Sequence, residues 1–261
     1  AAARMQAAGL DGIEIEAYGH LLDAFWSPAT NHREDDYGGT LDNRLRFGGE
    51  VIAAVRRQVG ADFIVGIRMV ADEDREGGLT REEGVDIARR IATDGRWDFV
   101  NLIKGSIHTD AALTGVIPIQ GMALAPHLAF AGEVRAAVSI PVFHAARIAD
   151  VATARHAVAS GKLDMVGMTR AHLAEPHIVA LVKRDQESRI RPCVGATYCL
   201  DRIYEHGEAL CIHNAATGRE LTMPQTLAPA GTRRKVVIVG AGPGGLEAAR
   251  VAASDQGSDA S

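Results

Sequence analysis

Five short apolar segments with strand character recur along this chain, at residues 11–15, 63–70, 99–103, 141–144 and 164–168. Between them, residues 45–59, 80–93, 128–139, 148–160 and 176–184 place apolar side chains three and four positions apart, the spacing of a helix with one buried face. Residues 1–10 carry a similar helical pattern. Strict strand–helix alternation demands parallel strands, because each helix crosses back over the sheet before the next strand begins.

Two parallel architectures compete, an open doubly wound sheet and a closed (β/α)8 barrel. Glu16, Arg68, Lys104, Arg147 and Arg170 all fall at or just past the C-terminal ends of strands. Barrel enzymes build their sites on that face from many strands, whereas an open sheet binds ligands only near its switch point. Five contributing strands favour the ring. A barrel needs eight strands, so the five repeats are expected to be the last five βα units of a partial barrel, with three more in front of residue 1.

Beyond residue 185 the pattern changes. Lys235-Val-Val-Ile-Val239 reads as a strand, followed by Gly240-Ala-Gly-Pro-Gly-Gly245 and a helix starting at Leu246. A strand, GxGxxG, helix order is the setting in which three glycines cradle a pyrophosphate at a helix N-terminus. After Ala253 the chain turns small and polar, where that fold would need its second strand. The expected division is a barrel part at 1–185, a cysteine-bearing segment at 186–230, and the truncated start of a Rossmann-like domain at 231–261.

Three cysteines, Cys193, Cys199 and Cys211, sit within nineteen residues of a 261-residue chain. An odd, clustered set is the wrong pattern for a disulfide framework and a better one for reduced thiolate ligands, with structural thiols as the alternative. The 28 basic and 33 acidic residues leave a net charge of −5 with no long run of one sign, which argues against a nucleic-acid or membrane-surface partner. No apolar run approaches the roughly 20 residues of a membrane span. A cytoplasmic enzyme with a small-molecule substrate is the expectation.

The run Ser27-Pro-Ala-Thr-Asn-His-Arg-Glu-Asp-Asp-Tyr-Gly-Gly39, with Asn43-Arg44 and Arg46-Phe47 behind it, resembles the signature of the old yellow enzyme family of FMN barrels. With the cysteines and the GxGxxG, the chain resembles that family's multidomain branch, which holds 2,4-dienoyl-CoA reductase, trimethylamine dehydrogenase and the dimethylglycine and N-methylproline demethylases. The resemblance implies FMN at the barrel mouth, an iron-sulfur cluster accepting its electrons, and a following region that binds FAD, ADP or NAD(P)H. The branch's cluster motif is C-x2-C-x3-C-x11-C. Cys193, Cys199 and Cys211 stand for its first, third and fourth positions and Ala196 for the second, with two residues rather than three between Ala196 and Cys199. A 3Fe-4S cluster follows, or a 4Fe-4S cluster whose last iron takes water or a side chain such as His213.

By the same resemblance Arg68 faces the flavin N1/C2=O edge, where a guanidinium stabilises the anionic reduced ring. Ala146, Arg147, Thr169 and Arg170 match the phosphate-binding ends of the last two strands, with Ala146 where the family usually has glycine. Gly240, Gly242 and Gly245 match the nucleotide turn.

The substrate side departs from the ene-reductase pattern. Instead of the carbonyl-binding His/Asn pair and a proton-donating Tyr, the chain has Glu14-Ile-Glu16-Ala-Tyr18-Gly-His20, one residue shorter. A carboxylate at Glu16 suits a cationic ammonium substrate, and Tyr18 and His20 are candidates for orienting the amine or accepting a proton. His108 is a candidate for the pocket wall. The expected reaction is hydride transfer from an N-methyl group of a small amine or amino acid to FMN, with hydrolysis of the iminium ion to formaldehyde, electrons leaving through the cluster, and an electron-acceptor protein or oligomer as further partners. The alternatives are an NAD(P)H-dependent ene-reductase and a non-catalytic fragment.

Overall fold

The computed structural model describes residues 1–226, 232 and 235–254. The boundary expected at 231 and the polar tail from 255 lie outside them. The chain forms two compact units, Ala1–Thr197 and Tyr198–Ser261. Among the described residues no helix is long and apolar enough to cross a membrane.

The first unit runs α1 (Ala2–Ala7), β1 (Gly12–Glu16), α2 (Leu21–Trp26), α3 (Leu41–Val59), β2 (Ile64–Val70), α4 (Arg81–Asp94), β3 (Phe99–Ile103), α5 (Asp110–Val116), α6 (Leu128–Ala137), β4 (Val142–His144), α7 (Val151–Ala159), β5 (Met165–Val166), α8 (Thr169–Ala174) and α9 (Ile178–Lys183), then a 3-10 turn at Glu187–Arg189. All five strands are parallel and lie in sequence order, β1-β2-β3-β4-β5. A doubly wound sheet reverses its order at a switch point. This one does not, so it is an arc of the (β/α)8 barrel.

Pairing register places Glu16, Arg68, Asn101, Phe143 and Met165 in one row across the sheet. Alternate residues of a strand point to opposite faces, so these side chains share the barrel-interior side. The other face carries Val65, Ile67, Met69, Val100, Leu102 and Val142, all essentially buried against the helices. Core and site are thus divided by the period-2 alternation of each strand.

The helix boundaries follow from caps. Thr80 accepts from Glu83 N while the Glu83 side chain accepts from Thr80 N, a reciprocal capping box, and Gly95 closes α4 in the left-handed conformation. Asp150 accepts from Thr153 N at 2.7 Å to start α7. Acids repeat at the bottom of the arc as well. Asp98 accepts from Val65 N and pairs with Arg56, and Asp164 accepts from Val142 N and pairs with Arg135. Each ties one strand's start to the next, on the face where barrel residues serve stability.

In the second unit the described elements are α10 (Tyr198–Tyr204) and α11 (Pro243–Ser254). The strand expected at 235–239 is not formed: among the described residues nothing pairs with it, and a strand exists only with a ladder partner. The helix starts at Pro243 rather than Leu246, since proline's missing N–H and fixed φ suit the first helical position.

Candidate functional site

The turn after β1 folds over the end of β2, because Ala17 N and Tyr18 N both donate to Arg68 O, at 3.0 and 3.2 Å. Gly19 has φ 68°, and a Cβ there would collide with Ile107 from the loop after β3. That close approach sets three successive strand ends edge to edge. Tyr18 is half-buried against the core, while His20, the residue before α2, is exposed.

Glu16 Oε2 lies 3.7 Å from Arg68 Nε. Partial burial pushes the Glu16 carboxyl up from its ordinary value; Arg68 pulls it down, Glu14 raises it, and His20 and the Tyr18 backbone N–H lower it. Asn101, next in the row, donates from Nδ2 to Glu14 Oε2 at 2.8 Å. Asn101 was not foreseen, although one polar residue inside the apolar strand Phe-Val-Asn-Leu-Ile was the signal for it.

Lys104 is engaged in ion pairs. Its Nζ is held by Asp72 at 2.7 Å and Asp74 at 3.2 Å, which joins the loops after β2 and β3. His108 is exposed, its Nδ1 2.7 Å from Ser106 Oγ. Asp23 in α2 accepts from Gly19 N at 3.0 Å, and burial lifts its carboxyl to about 6. Nothing in the sequence marked it.

Beyond β4 the backbone is unusual. Ala146 and Arg147 have φ 89° and 54° in succession, a region that costs non-glycine residues roughly 1–2 kcal/mol each. The position of Ala146 is the one where the resembled family usually has glycine, and the left-handed φ is the physical reason. Arg147 Nε and Nη1 are buried with no hydrogen-bond partner among the described residues. Buried donors of this kind are costly unless an anion meets them. A phosphate-bearing cofactor therefore fits these residues. Thr169 and Arg170 open α8, and Arg170 Nη2 donates to Pro118 O at 3.0 Å.

Cys193 belongs to the first unit, and Cys199 and Cys211 to the second. All three are half-buried and outside any disulfide. His213 N donates to Cys211 Sγ at 3.4 Å. Within neither unit do three or more His, Cys, Asp or Glu side chains gather as a metal site among the described residues. Reduced, partly accessible sulfurs are the donor chemistry an iron-sulfur cluster takes; Ala196 supplies no ligand. In the glycine turn, Gly240 has φ 108°, and a Cβ on Gly245 would collide with the Gly240 carbonyl.

Comparison with known proteins bears on this geometry. Residues 1–189 match the model of the NADH:flavin oxidoreductase / NADH oxidase family. A probable N-methylproline demethylase of Rhizobium meliloti (strain 1021) is 62% identical over 252 residues, covering 97% of this chain and 37% of that protein. An N,N-dimethylglycine/sarcosine dehydrogenase of Chromohalobacter salexigens is 49% identical over 255 residues, again covering 97% and 37%. A 2-naphthoyl-CoA reductase structure superposes with a TM-score of 0.90 at 29% identity, over 98% of this chain and 38% of that one. The chain spans about 37% of the length of the curated relatives it matches.

Proposed function

The chain belongs to the NADH:flavin oxidoreductase / NADH oxidase family, and from that premise we propose that it is part of an FMN enzyme that oxidatively demethylates a small N-methylated amine or amino acid. The observation that carries the reading is Glu16. It places a carboxylate of raised pKa beside Arg68 at the barrel mouth, a charge that recognises an ammonium ion and repels an enone carbonyl. The identity to a protein named as an N-methylproline demethylase supports the same class.

Arg68 would hold the pyrimidine edge of the flavin, and Ala146, Arg147, Thr169 and Arg170 would hold its phosphate. FMN, when bound, would supply the two-electron acceptor for oxidation of the N-methyl carbon, and water would hydrolyse the resulting iminium ion to formaldehyde and the demethylated amine. Glu16 pairs with the substrate nitrogen and orients the methyl group. Tyr18 and His20 flank that carboxylate on the β1–α2 turn; the Tyr18 hydroxyl orients the amine, and the His20 imidazole accepts the proton that the ammonium must lose before it can yield a hydride. Cys193, Cys199 and Cys211 would be the cysteine ligands of an iron-sulfur cluster of the 3Fe-4S type or with one non-cysteine ligand, which would supply single-electron transfer onward. Gly240, Gly242 and Gly245 form the turn that takes the diphosphate of a dinucleotide. The working division is 1–185 for flavin, 186–230 for the cluster and 231–261 for the nucleotide region.

The test is an anaerobic titration of the FMN-loaded complete polypeptide with N-methylproline, dimethylglycine and sarcosine. Bleaching of the flavin with stoichiometric formaldehyde is expected. Reduction by NADH and turnover of an activated alkene, with no bleaching by any amine, would overturn the reading in favour of an ene-reductase.

A further inference from the structure

Gly195 lies in Cys193-Val-Gly-Ala-Thr-Tyr-Cys199, two residues after the first cysteine, and has φ 75°. A Cβ built on it would overlap Arg147 Nη1, and would come within 3.2 Å of both Arg147 Cζ and Gln120 N. The Arg147 guanidinium therefore occupies the space that any side chain at 195 would take. The backbone of the segment is fixed there too, since Gln120 N donates to Gly195 O at 2.8 Å.

The loop at 117–125 ties the same groups from the other side. Ala125 N donates to Arg147 O at 3.2 Å, and Pro118 O accepts from Arg170 Nη2 at 3.0 Å. One loop thus bonds to the backbone of Arg147, the side chain of Arg170 and the carbonyl of Gly195. Arg147 itself is held in a strained left-handed conformation, with two buried guanidinium nitrogens left to meet an anion.

From these contacts we propose that Gly195 is a positioning residue for Arg147, so that the segment carrying Cys193 forms the back wall of the site for the cofactor's phosphate. The inference rests on the reading that Arg147 binds the FMN phosphate. It adds a requirement: the cysteine segment must be seated for the phosphate end to be complete, and phosphate binding in turn steadies that segment. Loss of a charge-assisted contact of this kind weakens binding roughly 10–100-fold.

The experiment compares FMN with riboflavin, which lacks the phosphate, by flavin fluorescence titration of the deflavinated complete polypeptide. Gly195→Ala is expected to raise the FMN Kd about 10–100-fold and leave the riboflavin Kd nearly unchanged. Gly60→Ala is the control for backbone strain without overlap, because Gly60 has φ 77° and open space around it; it should move neither. In an Arg147→Ala background, Gly195→Ala should add almost nothing, the non-additivity expected of two residues acting as one.

Equal loss of FMN and riboflavin affinity, or additive losses in the double variant, would overturn the proposal by making Gly195 merely structural. If Gly195→Ala does not fold, amide exchange on the unaltered protein decides. FMN must slow exchange at residues 193–197 more than riboflavin does, and equal protection by the two ligands rejects the coupling. FMN that binds but is not reduced by amines would defeat the demethylase reading alone, whereas FMN held no tighter than riboflavin would remove the phosphate assignment and this inference together.

Discussion

The Glu16 carboxylate and the Arg68 guanidinium stand 3.7 Å apart on directly paired residues of adjacent strands. At that distance the pair is a loose electrostatic contact rather than a hydrogen bond. Each group keeps capacity for a second partner of opposite charge, which is what a site needs if it must hold an anionic reduced ring and a cationic substrate side by side.

Glu16→Gln removes the charge and keeps the shape. The expected outcome is a roughly 10–100-fold fall in kcat/KM for N-methylated amines, the range for one charge-assisted contact. The carboxylate pairs with substrate only when ionised. Since burial raises its pKa, with Arg68 and His20 opposing and Glu14 reinforcing, activity in the unaltered protein should fall as pH drops, with an acid limb displaced upward from that of an ordinary glutamate. Stopped-flow flavin reduction across pH checks this: the acid limb disappears in Glu16→Gln, and its survival would transfer it to another group.

Gly84→Ala tests the packing of α4. Helix propensity alone favours alanine by about 1 kcal/mol. A Cβ at 84, however, would collide with the backbone of Ala71 just past β2, and neither helix nor strand can give way cheaply. Overpacking costs typically 1–3 kcal/mol, so the variant should unfold at lower denaturant despite its better propensity.

Ser27→Ala tests what anchors the signature loop. Ser27 and Glu73 are both buried, and Ser27 Oγ donates to Glu73 Oε2 at 2.5 Å while Leu79 N donates to the same oxygen at 2.6 Å. Removing the hydroxyl leaves a buried carboxylate short of one donor, at a cost of about 1–3 kcal/mol. Thermal unfolding should show a lowered Tm.

How much of this was legible depended on the range of the interactions involved. The five strands and the long helices α3 and α4 repeat a local period, so residues 63–70 and 80–93 already located β2 and α4. Arg68 and Arg147 could be placed at strand ends for the same reason. The short helices α2, α5 and α8, six or seven residues each, are too brief to form on propensity and owe their shape to tertiary contacts. Lys104 looked reactive because Asp72 and Asp74 come from a neighbouring strand's loop, thirty residues away in sequence. The left-handed pair at Ala146 and Arg147 was hidden because alanine and arginine give no local sign of positive φ. Nothing in the sequence pairs Gly195 with Arg147, forty-eight residues earlier, whose guanidinium fills the space beside it.

His144 is expected to set part of the acid stability of the fold. It is 2% exposed, its Nδ1 donates to Leu102 O at 2.7 Å, and its ring meets that of His127 edge-on at 6.2 Å. Burial disfavours the imidazolium and lowers its pKa to about 4; the Leu102 carbonyl opposes this, and the charges of His127 and Arg68 add to it. In the unfolded chain the group titrates near 6.5. Because the folded pKa is depressed, the stabilising contribution is complete above about 6.5 and is lost as pH falls through that value towards 4, where the folded imidazole at last takes up its proton. A shift of this size corresponds to about 3 kcal/mol. His144→Asn keeps a donor for Leu102 O and cannot titrate. Urea unfolding between pH 7 and 4 should therefore show a shallower loss of stability in the variant than in the unaltered protein, whatever its absolute cost at pH 7. Parallel curves would mean that His144 is protonated in the native state without penalty, and that its buried Nε2 finds a partner when charged.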